Sequence, residues 1–383
     1  MRILHVVVGK PKKEASNGVL KSVYLLSQGQ SLLGQTVEIL SLGKRRPENH
    51  NWVNNVAVHF GIHNRFVPIL CKYTHAVIEG ANKNYDLVHF HSAFHIQYLP
   101  IARKLIKLGI PYVVSPRGSY QPHALKKNRY AKFVFKYLFE NNLIKNSAYV
   151  HTLNKGESEG AFKFGVPSSK ISVVPNGVDF VNIPRKKVLL GKLEADCASL
   201  IYCGRLDYYG KGLDVLLDTI GLLRTKMGLP VSLNIVGSGS KSDLRLVERH
   251  IKKLDIADCV ILSGTLYAEE KYAAYSEANL FILPSRSEGF PTSVLEAMAF
   301  GIPCLVTPEC NIPAEIVSKG GVILSKLTST DLAKNIADFC RDFEASDNLS
   351  VRGKKLAKAY FCIEHVSNLH LLEYKTRASL SVE

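Results

Sequence analysis

Two glutamates, Glu288 and Glu296, stand eight positions apart within SRSEGFPTSVLEAMAFGIPC. The apolar run at 280–283 reads as a strand, 284–291 as a turn, and 292–300 as a helix stopped by Gly301 and Pro303. Glu288 therefore falls in a strand-to-helix loop and Glu296 about one turn into the helix. In an open α/β sheet such a loop lies at the carboxyl ends of the strands, where ligands bind. The first backbone N–H groups of the helix, around 291–294, favour an anion at the same place. A carboxylate beside a bound phosphate is useful only when it contacts something uncharged, and a sugar hydroxyl is the obvious candidate. The local pattern is a phosphate seat flanked by two sugar-binding carboxylates.

Other residues suit the same chemistry. Arg205 and Lys211 flank the turn in CGRLDYYGKGLD, between a strand-like run at 200–203 and a helix beginning at 212–217. Two cations at a strand-to-helix edge fit a diphosphate, and Gly210 and Gly212 allow close backbone approach. The competing reading is a pair of solvated surface cations. HFHSAFH holds His89, His91 and His95, with His91 just past the strand-like run 87–90 and so at its carboxyl edge. His-x-His on a strand puts both rings on one face, which fits a metal site or strand-end core histidines as well as a ligand contact, and no carboxylate stands nearby in sequence. Arg117, Gly118 and Ser119 follow the run at 112–114 and read as acceptor-side residues or as a structural turn.

The stretch around Glu288 resembles the Glu-x7-Glu motif of the retaining, GT-B-fold glycosyltransferases of family 4, of the bacterial surface-polysaccharide type. GRLDYYGKGLDVLL, NIVGSGS, VVPNGVD and YDLVHFHSAF are similar to the same family, in its usual order, over nearly the whole chain of 383 residues. The combination is specific, although each piece alone is weak. The resemblance implies an NDP-sugar donor, with UDP or GDP as the nucleotide, and no cofactor or metal; an Asp-x-Asp motif is absent from the sequence. It implies that Arg205 and Lys211 hold the donor pyrophosphate and neutralise the leaving group. Glu296 would bind the ribose hydroxyls; the bland alternative is a first-turn acid favoured by the helix dipole. Glu288 would face the transferred sugar. A double displacement would need it on the opposite face of that sugar, whereas the family is assigned a front-face route, so Glu288 is read as donor binding and catalytic support. Gly289, Phe290, Pro291 and Thr292 complete the donor-binding segment. His91 would touch the transferred sugar or the acceptor, which makes Glu288, His91, Arg205 and Lys211 the catalytic set; His89 and His95 receive no role. Gly18 would approach the donor phosphate at the end of the first loop. The family often has two glycines there, and Asn17 replaces the first, a residue that tolerates positive φ. GKPKKEASNG is also not GxGxxG, which weakens an oxidoreductase reading.

The elements that must position these groups alternate between strand and helix. Strand-like runs occur at 3–8, 37–40, 56–60, 87–90, 112–115, 149–153 and 171–174, and again at 200–203, 232–236, 260–263, 280–283, 304–307 and 321–324. Helical spacing lies between most of them, as at 20–33 and 213–227. Two such series predict an α/β chain of two doubly wound, Rossmann-like domains facing a central cleft, 1–182 on the acceptor side and 183–363 for the nucleotide sugar, with a boundary near 178–190. The run at 364–380 is helix-like, and in the resemblance the terminal helix (364–383) crosses back to the first domain.

Composition narrows the classes. No run of about 18 apolar residues is present for a spanning helix, and ILHVVV is too short for a signal-peptide core. Eight scattered cysteines without a CxxC pair read as free thiols in a reducing cytosol. Residues 1–182 hold 24 Lys+Arg and 9 Asp+Glu, a net +15, against 25 and 24, a net +1, for 183–383. The segment 126–146 interleaves Lys126, Lys127, Arg129, Lys132 and Lys136 with Tyr130, Phe133, Phe135 and Phe139. It suits an anionic membrane surface, or an ordinary helix packed on its sheet. The expectation is a cytoplasmic enzyme, peripheral on the inner face of the membrane, moving a sugar to a glycan or lipid-linked acceptor in polysaccharide or lipopolysaccharide assembly. A nucleotide-sugar epimerase is the nearest rival. Nucleic-acid binding has only the basic pI of about 9.4 behind it and no recognition motif. The base, the sugar, the acceptor, the linkage and the oligomeric state are not encoded in any residue pattern found.

Overall fold

A computed structural model of the chain describes residues 1–11, 17–43, 56–62, 72–79, 85–126, 128–181, 183 and 197–378. Cys71, Lys127, most of the first loop (12–16) and the basic stretch at 184–190 lie outside the described residues. The chain forms two compact units, Met1–Gly177 together with Ile363–Glu383, and Val178–Cys362. Residues 178–182 thus group with the second unit, because Val178 donates its N–H to Phe361 O at 2.8 Å and bridges to Cys362.

In the first unit β1 (Arg2–Val8), β2 (Thr36–Gly43), β3 (Ala57–Ile62), β4 (Leu87–His91), β5 (Tyr112–Ser115), β6 (Tyr149–Thr152) and β7 (Ile171–Val173) form a sheet in the order β3-β2-β1-β4-β5-β6-β7. In the second, β8 (Ala198–Cys203), β9 (Val231–Val236), β10 (Val260–Gly264), β11 (Leu280–Leu283), β12 (Cys304–Val306) and β13 (Ile323–Leu324) follow the order β10-β9-β8-β11-β12-β13. Every pairing is parallel. Parallel strands are covered on both faces, and so they read as near-continuous apolar runs in sequence. All thirteen such runs are strands.

Alternation along the strands divides the first sheet into two faces. Leu4, Val6, Leu40 and Phe90 pack with Ile101 and Leu105 of the helix Tyr98–Lys107. Val7 and Ile39, on the other face, pack with Val23 and Leu25 of the helix Gly18–Leu32 and with Ile363. Ile3, Leu87, Val113 and Tyr149 lie there with Leu371 and Tyr374. That second face is therefore closed by the terminal segment, the helix Ile363–Glu373 and the π-helical turn Tyr374–Ala378.

Two expectations are corrected here. The segment 126–146 is not one helix. It comprises the helices Pro122–Lys126, Arg129–Phe135 and Asn141–Lys145, with a π-helical turn at Lys136–Glu140; Asn128 is left-handed, with φ of 57°. The wider turn carries an extra residue, and Glu140 at its end is buried, accepting from Tyr120 Oη at 2.6 Å and Phe94 N at 3.3 Å. Asn17 does not use positive φ. At φ −87° it caps the helix Gly18–Leu32, its side chain accepting from Val19 N at 2.9 Å, the usual role of Asn at that position.

Gly29 sits where the terminal segment crosses its helix, and a Cβ there would collide with Ser367 Oγ and Ile363. Gly29→Val is expected to destabilise by about 1–3 kcal/mol through overpacking, read as a lower midpoint in thermal unfolding. An unchanged midpoint would mean that the terminal segment does not pack on this helix.

Candidate functional site

In the second sheet the strand order reverses between β8 and β11, and a crevice opens there at the carboxyl ends of the strands. The loops after β8 and β11 carry the residues singled out from the sequence, and glycines bring their backbones together. Gly212 (φ +67°) lies where a Cβ would strike the Pro284 carbonyl, and Gly237 (φ +144°), after β9, where one would strike the Gly204 carbonyl. Arg286 N donates to Gly210 O at 3.0 Å. The Arg286 guanidinium donates to both oxygens of Asp214 at 2.7 and 2.8 Å. Asp207 shapes the turn from within, accepting from Gly210 N at 3.0 Å.

On this frame Arg205 points outward, its side chain 69% exposed and 3.1 Å from Asp207. Lys211 and Glu288 are largely covered and form an ion pair. Ser285 Oγ also donates to Glu288 Oε1 at 2.9 Å, and Asn311 Nδ2 donates to Glu288 O at 2.7 Å. Phe290 is buried against Phe361, with ring centroids 5.5 Å apart, so it anchors the loop from beneath. Gly289 and Pro291 complete the loop, and the helix Thr292–Phe300 starts where expected. Its first intrahelical N–H is that of Val294, 3.1 Å from Pro291 O, so the N–H groups of Thr292 and Ser293 precede the first turn of bonds. Glu296 pairs with Lys271. Burial opposes the charge on Lys271, but Glu296 and the neighbouring groups together outweigh it and hold the ammonium above its ordinary range. Lys271 also lies 5.3 Å from the Tyr275 ring. The sequence reading missed Lys271, Ser285 and Asn311. Ser285 opens the motif stretch itself and was passed over there, Asn311 lies outside every motif, and Lys271 comes from the separate helix Ala268–Glu277.

In the first sheet the order reverses between β1 and β4. His91 is the last residue of β4, as expected, but its ring is fully buried rather than open to a ligand. His5, His89, His91, Ser115 and His151 occupy alternate positions on the strand face under the terminal segment, and all are buried. His5 Nδ1 is 2.9 Å from His91 Nε2, and His5 Nε2 is 2.8 Å from Gln30 Oε1. His89 lies between Tyr374 Oη at 2.7 Å and Ser115 Oγ at 2.5 Å. His151 lies between Ser115 Oγ at 2.6 Å and Val174 O at 2.8 Å. Arg117, in left-handed backbone at φ 52°, donates from Nη2 to His91 Nδ1 at 3.2 Å and from Nη1 to Asn176 Oδ1 at 2.6 Å. Gly118 N donates to the buried Glu157, and Ser119 N donates to Pro116 O at 3.1 Å, closing the turn.

Burial pushes His5 down to about 4 and His151 to about 3, and holds His89, His91 and His370 well below the usual imidazole range. It lowers Arg117 to about 10. Ring nitrogens of His5, His89 and His91 come within 4.8 Å of one another, close enough for a shared metal ion. Each of the six already has a hydrogen-bond partner, so coordination would break the network. Gly18, the first residue of its helix, lies at the carboxyl end of β1 beyond the loop.

The segment at 122–145 exposes an apolar stripe. Tyr130, Phe133, Val134, Tyr137 and Leu138 follow helical spacing and are all more than half exposed. Lys132 and Lys136 lie 5.4 Å from the Phe94 ring and 4.3 Å from the Phe164 ring. Among the described residues no helix is long and apolar enough to cross a membrane.

Comparison with known proteins finds a family match in each half of the chain. Residues 16–181 match the family described as Glycosyltransferase Family 4, and residues 192–356 match Glycosyl transferases group 1. The GDP-mannose:cellobiosyl-diphosphopolyprenol alpha-mannosyltransferase of Xanthomonas campestris is 26% identical over 85% of this chain and 84% of its own length. The lipopolysaccharide 1,6-galactosyltransferase of Escherichia coli is 30% identical over 44% of this chain and 45% of its own. Among solved structures, Anabaena HepE in complex with UDP-glucose superposes with a TM-score of 0.74 at 16% identity, over 98% of this chain and 100% of that one. With two parallel-sheet, Rossmann-like domains in a GT-B fold and a family match to each, the chain belongs to the group 1, family 4 glycosyltransferases.

Proposed function

We propose that the protein is a retaining glycosyltransferase that moves a sugar from an NDP-sugar to a glycan or lipid-linked acceptor in bacterial polysaccharide or lipopolysaccharide assembly. The observation that carries this reading is the pairing of both motif glutamates with lysines, Glu288 with Lys211 and Glu296 with Lys271, at the crevice where the second sheet reverses. Arg205 and Lys211, with the first N–H groups of the helix at Thr292, take the diphosphate. Glu296 takes the ribose, and Glu288 the transferred sugar. Gly289, Phe290 and Pro291 hold the loop between them, and the loop 264–267 offers main-chain contacts to the base. Gly18 is a further donor-phosphate residue in this reading. Arg117, Gly118 and Ser119 lie on the acceptor side. His91 serves that side through Arg117, since its own ring nitrogens are occupied. Cationic side chains stand in for a metal ion, so transfer is expected to proceed undiminished in EDTA. The Xanthomonas relative, named for GDP-mannose and a diphosphopolyprenol acceptor, and HepE, solved with UDP-glucose, make GDP and UDP the nucleotides to try first.

The apolar stripe of 130–138 and its cations support peripheral attachment to the cytoplasmic face of an anionic membrane. Tyr130 and Phe133 would enter the interface while Lys126, Arg129, Lys132 and Lys136 meet lipid charge, each adding about 1 kcal/mol near the surface.

Arg205→Ala and Lys211→Ala should each lose roughly 1.5–3 kcal/mol, about tenfold or more, in affinity for UDP or GDP. Calorimetric affinities unchanged in both variants would remove the phosphate assignment. Glu288→Gln should leave NDP affinity intact, since Lys211 then has no competing carboxylate, while turnover falls; Glu296→Gln should weaken NDP itself. The opposite pattern would exchange the two roles. Co-sedimentation should occur with anionic vesicles, fail with neutral ones, and weaken when Lys126, Arg129, Lys132 and Lys136 become Gln. Equal binding to both vesicle types would reject this surface as an electrostatic anchor.

A further inference from the structure

The polar network of the first unit admits a single arrangement of protons. Val174 offers it a carbonyl, so His151 carries its proton on Nε2 and leaves Nδ1 as an acceptor. Ser115 must then donate to His151 and accept from His89 Nε2. His89 Nδ1 accepts from the Tyr374 hydroxyl, whose oxygen accepts from Gln30 Nε2 at 3.4 Å. Gln30 Oε1 accepts from His5 Nε2, so His5 Nδ1 accepts from His91 Nε2. His91 Nδ1 is left to accept from Arg117, and arginine can only donate. Starting from either end gives the same answer: four neutral imidazoles, each protonated on Nε2, in a one-way relay from Arg117 to Val174.

We infer that this relay holds Arg117 in place and that Tyr374, on the terminal segment, is a positioning residue for the turn at Arg117, Gly118 and Ser119. The inference rests on the acceptor-side reading of that turn. The Arg117 guanidinium donates to two neutral groups, His91 and Asn176, and its Nε is shielded from water without a partner. Donor-to-acceptor order throughout the relay turns a lone pair toward the cation at every step, and aligned bonds polarise one another. The relay thus partly replaces the carboxylate that a covered guanidinium usually contacts. Glu157 is the nearby anion, bonded to Gly118 N and Leu153 N, and His370 packs on His151 with ring centroids 4.5 Å apart. A proton added to any of the four rings would set a donor against a donor. Tyr374 is the only link between Gln30 and His89 in this relay, and it lies 257 positions beyond Arg117 in the chain.

The test uses the full chain with 15N-labelled histidine and long-range 1H–15N correlation. The wild type should show His5, His89, His91 and His151 as neutral Nε2–H tautomers from about pH 8 to about pH 5.5, below the usual imidazole range. In Tyr374→Phe, His89 should lose its single tautomer and the Arg117 guanidinium protons their exchange protection. Transfer from whichever of UDP-glucose or GDP-mannose the protein uses should fall about tenfold or more, with UDP or GDP affinity unchanged. Should that variant fail to fold, Ser115→Ala breaks the relay on the other side of His89, with the same readouts of His89 tautomer and transfer. An Nδ1–H tautomer or an imidazolium at any of the four rings in the wild type overturns the relay. Undiminished transfer in the broken-relay variant overturns the positioning role. Failure of the wild type to bind either nucleotide would sink the donor reading instead, and the tautomer result would stand apart from it.

Discussion

A charge taken out of water needs a partner, and the second unit is arranged around that requirement. Lys211 and Glu288 retain 17% and 11% of their side-chain exposure, Lys271 and Glu296 18% and 13%. Left single, each would carry a desolvation cost of several kcal/mol. Paired, each of these charges lies against its counter-charge. The pairs also explain why Arg205 can remain outside, 69% exposed: it has no buried carboxylate to neutralise, and its partner Asp207 is itself 40% exposed. On the proposed reading, a diphosphate at Lys211 would compete with Glu288, and the displaced carboxylate would become available to a sugar hydroxyl.

The first unit meets the same constraint by other means. Its covered cation, Arg117, bonds to an imidazole and an amide, and the imidazole is bonded in turn through strands β1, β4, β5 and β6. Glu140 and Glu157 bind backbone N–H groups and a tyrosine rather than lysines. Burial raises Glu140 to about 7. Among the described residues, the interior of the strongly basic half is thus built from imidazoles, amides and hydroxyls bonded to one another around few charges.

The sequence revealed the strands because parallel sheets bury both faces, and it revealed the helix Thr292–Phe300 because Gly301 takes the left-handed position that stops it, at φ +93°. The motif residues of the second unit were legible because two adjacent loops carry them. Lys271 was not, since its partnership with Glu296 depends on how a separate helix packs. For His91 the strand end was legible, but the direction of the ring was not. Alternation assigns His5, His89, His91, Ser115 and His151 to one face, yet only the terminal segment folding over that face makes it an interior. The π-helical turn before Glu140 is likewise set by a tertiary bond, to Tyr120, and leaves no mark in the spacing of apolar residues.

The terminal segment has a consequence for biosynthesis. The first unit is interrupted: its strands lie within Met1–Gly177, while part of the layer over one face of its sheet, the part above Ile3, Leu87 and Val113, comes from Ile363 onward. A chain emerging from the ribosome therefore makes all of β1 to β7 and the whole second unit before Tyr374 appears. Until then the imidazoles of His5, His89, His91 and His151 lack that part of their cover. Domains ordinarily fold as they emerge, the earliest first. Here the earliest must wait, with Ile3, Leu87 and Val113 exposed to solvent, while the later one can complete its own core. The nascent first half is then the species most in need of chaperone protection, and docking of residues 363–378 is the step that ends its exposure.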